Sequence, residues 1–322
     1  MAASDLPVVV ALGAVDPALV SGVLDGHCRF VATPGDAELT VAAGAIVRAD
    51  ARVDQALLGR APGLKVIART GVGVDLVDVP AATARGIAVV VTPGAGAAAV
   101  AEGAIGMALH LVKRFGPLTA LVREGRWGER SGTGVGDLDG ATLGVVGYGR
   151  IGQRTAVLGA AFGMRVLAYD PLSEPPAALR CAGLGDLAAR SDVISLHLPL
   201  TSQTRNLVDD TFLAGVKPGA VLVNCGRGGL ADTDAVWRAL NTGRLSGVGL
   251  DVFDPEPPGR HPLYGHPDVV LTPHLMGLSR RATAATFTAA ARGVLDVLAG
   301  REPQAVADPA WRTTAAHREI HP

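Results

Sequence analysis

The stretch from Leu143 to Gly152, LGVVGYGRIG, constrains the fold more than any other part of the chain. Glycines at 147, 149 and 152 are spaced G-x-G-x-x-G. In a chain with 42 glycines that spacing is a weak signal by itself, so its context decides. TLGVV before it has the apolar, β-branched character of a buried strand, and RIGQRTAVLGAAFG after it reads as a helix. The next apolar run, MRVLAYD, ends in Asp170, near the spacing of about 20 residues that a dinucleotide-binding βαβ unit requires. Gly147 permits the tight turn, Gly149 lets backbone approach a pyrophosphate, and Gly152 lets helix pack on strand. The helix N-terminus then faces the phosphate charge. Asp170 is placed to accept hydrogen bonds from the adenine ribose hydroxyls and would repel a 2′-phosphate, which favours NAD over NADP. A glycine-rich turn that binds nothing would explain the glycines but not the strand, helix and acid together.

The rest of the chain extends this unit into a parallel α/β architecture, because short apolar runs alternate with helical patterns. The first third offers strands in PVVVAL (7–12), LTVAAG (39–44), LKVIART (64–70) and IAVVVTP (87–93). The pattern from Ala97 to about Arg123 predicts one long helix, and 128–140, GERSGTGVGDLDG, reads as a loop. A second set of strands follows in TLGVVG, MRVLAYD, DVISLHLP, AVLVNC, GVGLDVF and DVVLTPHL, the six that a dinucleotide-binding sheet needs. The tail from Ser279 holds one more helical stretch. No repeat of solenoid period is present.

Composition removes several function classes. A formal net charge of −1 with 48% apolar residues argues against disorder and against nucleic-acid binding driven by overall charge. No apolar run reaches the length of a membrane span, and MAASDLPVVV has no basic leader region, so a soluble cytoplasmic protein is expected. Cys28, Cys181 and Cys225 are scattered, with no C-x-x-C, giving neither a disulfide framework nor a metal site.

In a doubly wound sheet, ligands bind beyond the carboxyl ends of the strands. Three consecutive strands of the second set end in polar chemistry. AVLVNC runs into Arg227, GVGLDVF carries Asp251 and then Glu256, and DVVLTP runs into His274. A histidine beside a carboxylate can serve as an acid near neutral pH. Arginine presents a planar fork that matches a carboxylate. Each has a plainer reading: a satisfied core histidine, a solvated loop acid, a surface arginine. Together beside a cofactor they point to catalysis. His110, His261 and His266 lack this context and read as structural, whereas His197 is placed to line the cofactor cleft.

These residues lie in a longer series: RTGVGVDLVDVPAATARGIAVVVTPG, LGVVGYGRIG, SDVISLHLPLTSQTRNLV, VKPGAVLVNCGRGGLAD, GVGLDVFDPEPP and LTPHLMG. In content and order the chain resembles the D-isomer-specific 2-hydroxyacid dehydrogenases, nearest in pattern to their phosphoglycerate members, over nearly its whole length. The resemblance implies two Rossmann-like domains with doubly wound parallel sheets. One is a discontinuous, flavodoxin-like substrate domain, 1–98 with 279–322, and the other an NAD-binding domain, 99–278, with the active site in the cleft between them. It implies a homodimer acting on a small 2-oxo or 2-hydroxy acid. It gives Arg227 the substrate carboxylate and carbonyl, His274 the proton, and Glu256 the task of keeping His274 protonated and oriented. Asp251 is expected at the nicotinamide carboxamide. Arg150 and Ile151 join the glycines at the pyrophosphate, and Pro199, Thr204, Cys225, His274 and Gly277 complete the cofactor contacts. Backbone amides around Val72 and Gly73 are expected at the substrate carboxylate. Glu256 also separates the chain from the formate dehydrogenases, which carry Gln there. Because the chain ends near residue 322, no regulatory extension and no serine feedback are expected.

Arg48 and Arg69 end strands of the first set where phosphoglycerate dehydrogenases carry Arg. Two cations would suit a second anionic group, so the expected substrate is dianionic: phosphorylated, phosphonate, sulfonate or dicarboxylate. The chain departs from the family's pattern at Leu76 and Gly96, where Asn is usual, and in LMGLS after His274. Those losses of polar side chains point to a specialised substrate. The alternatives are a glyoxylate, hydroxypyruvate or D-lactate type reductase, a phosphite dehydrogenase, and an NAD-sensing corepressor that catalyses nothing.

Overall fold

The computed structural model describes residues 6–48 and 50–314, and the chain divides into two compact units. One runs to Gly96 and resumes at Arg280, and the other comprises Ala97–Ser279.

The first unit has strands β1 (Val8–Leu12), β2 (Arg29–Val31), β3 (Ala42–Val47), β4 (Val66–Arg69) and β5 (Ala88–Val90). All pair in parallel in the order β2-β1-β3-β4-β5, the flavodoxin-like arrangement. Helices α1 (Ser21–Leu24), α2 (Asp36–Val41), α3 (Gln55–Arg60) and α4 (Val79–Ala84) connect them. Two apolar cores result, one on each sheet face, as parallel sheets demand.

Two expectations change here. The strand read at 39–44 begins only at Ala42, because Leu39–Val41 finish α2. Glu38 Oε2 accepts from the Gly35 N–H at 3.0 Å and fixes the start of that helix. Strand β2 was not expected: it is three residues long at the sheet edge, too short for a periodic signal.

The second unit opens with α5 (Ala97–Val112) and α6 (Phe115–Arg123), which replace the single long helix of the expectation. Arg114 between them takes the left-handed conformation (φ 54°), and the two axes bend by 56°. Pro117 falls in the first turn of α6, where a missing N–H costs nothing, and it marks the new start. A 3-10 turn, Trp127–Gly132, follows within the segment read as a loop.

The second sheet then builds from β6 (Thr142–Val146), α7 (Arg150–Ala161), β7 (Arg165–Tyr169), α8 (Leu184–Arg190), β8 (Val193–Leu196), α9 (Asp210–Gly215), β9 (Ala220–Asn224), α10 (Thr233–Asn241), β10 (Leu245–Leu250) and β11 (Val269–Leu271). Six parallel strands run in the order β11-β10-β9-β8-β6-β7. The order reverses between β6 and β8, so a crevice opens beyond their carboxyl ends, where the glycine turn lies. Within the first unit α11 (Arg280–Leu298) returns to cover β3, β4 and β5. Among the described residues no single helix is long and apolar enough to cross a membrane.

Candidate active site

The three glycines of the turn between β6 and α7 are each required for a different reason. Gly147 has φ 95°, and a Cβ there would lie 2.7 Å from the His197 carbonyl carbon. A Cβ on Gly152 would lie 1.9 Å from the Gly147 carbonyl oxygen, so helix and turn touch only because it is absent. Gly149 is different: a Cβ would meet nothing within 4 Å. The fold does not need glycine there, whereas a pyrophosphate seated on the α7 N-terminus does. Arg150 and Ile151 form the first residues of α7, Arg150 exposed and Ile151 half-buried.

Asp170 follows β7 directly. Its Oδ2 accepts from the Tyr148 N–H at 2.6 Å, and its Oδ1 from Leu172 N–H at 2.8 Å and Ser173 N–H at 3.2 Å. The acid is thereby fixed beside the glycine turn, with carboxylate lone pairs left for ribose hydroxyls.

Across the turn, His197 Nε2 lies 2.9 Å from Ser195 Oγ, and Nδ1 is buried without a partner among the described residues. Burial lowers its pKa to about 4, so its ring is neutral at physiological pH. Thr204 donates to the Pro199 carbonyl at 2.7 Å and accepts from Thr201 N–H at 2.8 Å, which ties up the turn that carries Pro199. Burial, with the Asp251 charge second, pushes the Cys225 thiol up to about 12, so it is an inert apolar wall.

The catalytic candidates gather at the ends of β9, β10 and β11. Arg227 leaves β9 on a turn held by Asn224, whose Oδ1 accepts from Gly226 N–H at 3.0 Å and whose Nδ2 donates to the Arg227 carbonyl at 2.9 Å. Gly228 presses on the neighbouring loop so closely that a Cβ would lie 2.0 Å from the Phe253 carbonyl carbon. Glu256 sits on that loop. Its Oε1 accepts from Phe253 N–H at 2.9 Å, and its Oε2 lies 2.8 Å from His274 Nδ1. With Nδ1 turned to the carboxylate, Nε2 is the imidazole nitrogen left for chemistry. His274 holds φ 56°, an uncommon setting for a non-glycine residue.

Asp251, only 2% exposed, secures that setting. Its Oδ1 accepts from Thr272 Oγ1 at 2.6 Å and Leu275 N–H at 3.0 Å, and its Oδ2 from Met276 N–H at 3.2 Å. This role was not foreseen from sequence, nor were those of Asn224 and Thr272. A buried polar residue closing a strand that ends at a site is the signal that marks all three. Gly277 closes the same segment.

In the first unit, Arg48 extends from β3 with its guanidinium 5.8 Å from the Phe287 ring centre. Arg69 ends β4 and its Nη1 donates to the Thr70 carbonyl. That guanidinium lies over Gly71, 3.0 Å from the position of an added Cβ. Val72 is exposed and Gly73 half-buried, and among the described residues no acceptor is found for their N–H groups. Among the described residues no group of three His, Cys, Asp or Glu is placed to hold a metal.

The chain is similar to known proteins over most of its length. Residues 105–276 match the model of the D-isomer specific 2-hydroxyacid dehydrogenase, NAD binding domain. D-3-phosphoglycerate dehydrogenase of Mycobacterium tuberculosis is 41% identical over 304 residues, covering 92% of this chain and 57% of that protein. The Methanocaldococcus jannaschii protein of the same name is 39% identical over 260 residues, 79% of this chain and 49% of that one. The chain thus spans about half the length of these curated relatives. A Thermus thermophilus protein of known structure superposes with TM-score 0.83 at 38% identity, over 94% of this chain and 100% of that one. D-lactate dehydrogenase from Aquifex aeolicus, solved with NAD and lactic acid, gives TM-score 0.79 at 29% identity, over 91% and 96%. NAD is the cofactor of the matched domain, and the open cradle at Gly149 with Asp170 beside it fits that cofactor. The chain belongs to the D-isomer specific 2-hydroxyacid dehydrogenase family.

Proposed function

We propose that the protein interconverts a 2-oxo acid and the corresponding 2-hydroxy acid with NAD(H), using Arg227, Glu256 and His274. The observation that carries this reading is the 2.8 Å pair of His274 Nδ1 and Glu256 Oε2 at the strand ends of an NAD-binding sheet. When bound, NAD supplies or accepts the hydride at C2 of the acid. Arg227 binds the carboxylate through its fork and stabilises the charge that develops on the C2 oxygen during reduction. His274 Nε2–H delivers the proton to that oxygen, and in oxidation the neutral nitrogen takes it back. Glu256, fixed at both oxygens, holds the ring orientation and stabilises the imidazolium.

At the cofactor, Gly147, Gly149, Arg150, Ile151 and Gly152 hold the pyrophosphate and Asp170 the ribose. His197, Pro199, Thr204, Cys225 and Gly277 line the remaining surface, and Asp251 meets the nicotinamide with its free lone pair. In the first unit, backbone N–H groups at Val72 and Gly73 receive the carboxylate, and Arg48 and Arg69 receive a second anionic group. The preferred substrate is accordingly a dianionic 2-oxo acid. A monoanionic acid such as glyoxylate or pyruvate is the second reading, favoured by the stacking of Arg48 on Phe287. We further propose a homodimer, supported by the exposed apolar side chains of Phe115, Val122 and Trp127 on and beside α6.

NADH consumption over a panel of 2-oxo acids tests the reading: 3-phosphohydroxypyruvate, phosphonopyruvate, sulfopyruvate, oxaloacetate, hydroxypyruvate, glyoxylate and pyruvate. Preference for a dianion supports the roles of Arg48 and Arg69, and preference for a monoanion removes them. Turnover of none, with NADH still bound, overturns the dehydrogenase.

A further inference from the structure

One stripe of helix α5, residues 103, 107 and 111, lies on one face by its four-residue spacing, and each of the three meets a neighbour within its own unit. Met107 fills the hollow over Gly249, where a Cβ would lie 3.0 Å from the Met107 Cβ. Leu111 does the same over Gly247, its Cδ2 also 3.0 Å from the added atom. At Gly103 the relation reverses, and the helix supplies the hollow. A Cβ there would lie 2.3 Å from Sδ, 2.8 Å from Cγ and 3.1 Å from Cβ of Met276. Glycine is a poor helix former, and α5 carries two. A Cβ on Gly106 would meet nothing within 4 Å, whereas at Gly103 the seated thioether leaves no room for one. One turn earlier, Val100 touches Gly277, 3.5 Å from the position of an added Cβ.

Met276 stands two residues beyond His274, and its N–H donates to Asp251 Oδ2. The segment 272–277 is therefore fixed on two sides. Asp251 takes hydrogen bonds from Thr272, Leu275 and Met276, and α5 grips the Met276 side chain. His274, in its left-handed conformation, lies between these attachments.

We infer that Gly103 and Met276 are positioning residues, the thioether seated in the Gly103 hollow holding the His274 segment where its imidazole exchanges a proton with substrate. The inference rests on His274 being the acid–base group. Three consecutive atoms of Met276 crowd the hollow, so a methyl at 103 cannot be cleared by turning the terminal torsion alone. Met276 has to swing from its Cβ, or its backbone has to move.

The test compares the wild-type protein with Gly103→Ala, Met276→Ala and the double variant, on the best substrate of the panel. Gly103→Ala is expected to lower kcat roughly ten-fold, within the ~10²-fold that a displacement of about 1 Å can cost. Amide hydrogen exchange in 272–278 speeds up. Met276→Ala shows the same pattern, and Met276→Leu, which still fills the hollow, keeps the wild-type kcat. The double variant regains most of the loss of Gly103→Ala, because the methyl occupies space the thioether leaves. Wild-type kcat and exchange in Gly103→Ala, or a double variant that loses the product of both singles, would overturn the inference. If Gly103→Ala does not fold, the contrast between Met276→Ala and Met276→Leu decides it. Wild-type kcat in His274→Ala would instead overturn the acid–base reading, and the exchange comparison would still decide whether Gly103 and Met276 hold the segment.

Discussion

His274 Nδ1 and Glu256 Oε2 lie 2.8 Å apart, and the other oxygen of Glu256 is held by the Phe253 N–H at 2.9 Å. The acid is thus clamped between its own loop and the imidazole, and the ring's other nitrogen is aimed by that clamp. Both side chains are more than a third exposed, so the pair's value lies in orientation rather than in stability.

Glu256→Gln keeps the shape and removes the charge that stabilises the imidazolium. Its kcat for reduction should fall by about 10–10²-fold, below the ~10²–10⁴-fold that proton transfer as a whole contributes. Steady-state rates across pH check this. An unchanged pH profile would show that the acid does not govern the proton.

Arg227→Lys retains the charge and loses the planar fork. Losing one charge-assisted hydrogen bond of about 1.5–3 kcal/mol should raise KM for the 2-oxo acid at least ten-fold. NADH affinity, measured by fluorescence titration, should not move. A parallel loss of NADH binding would assign Arg227 to the turn rather than to the substrate.

The glycine turn separates fold from ligand. Gly152→Ala, with 1.9 Å to the Gly147 carbonyl, should destabilise by about 1–3 kcal/mol and lower Tm. Gly149→Ala, with open space around the new methyl, should keep the wild-type Tm and weaken NADH binding. Equal Tm losses in both variants would mean that Gly149 serves the fold and not a pyrophosphate.

His197 gives the folded protein an acid liability. Its folded pKa of about 4 lies below the ordinary imidazole value of 6.5, so above that value both states are neutral and nothing is gained or lost. As pH falls from 6.5 towards 4, the unfolded chain binds a proton that the folded one refuses, and stability drops by up to a few kcal/mol. Guanidinium midpoints at pH 8 and pH 5 measure the drop, and His197→Gln should make it smaller. The same pH dependence in the variant would place the liability elsewhere.

Much of this site is legible from residue order, and the reasons are local. Gly147, Gly149, Gly152 and Asp170 lie in one βαβ unit, so their spacing carries the meaning. Arg227, Asp251, Glu256 and His274 are legible because each follows a strand, and a parallel sheet brings strand ends together. What was missed depends on contacts distant in sequence. The partners of Asp251 on the His274 segment lie more than 20 residues away, and Met276 meets Gly103 from the far end of the second unit's sequence. Arg48 looks like a free cation in sequence, and only α11 reveals the Phe287 ring beneath it. The break at Arg114 was readable from Pro117, and the apolar pattern running through it hid the signal.

Hydride transfer coupled to proton transfer by His274 is the core of the proposed reaction. Its most direct measurement is the initial rate of NADH oxidation with the preferred 2-oxo acid, for wild type and His274→Ala, with NADH affinity measured on both. In the variant kcat is expected to fall by about 10²–10⁴-fold with NADH affinity unchanged. A variant that turns over at the wild-type rate would contradict it.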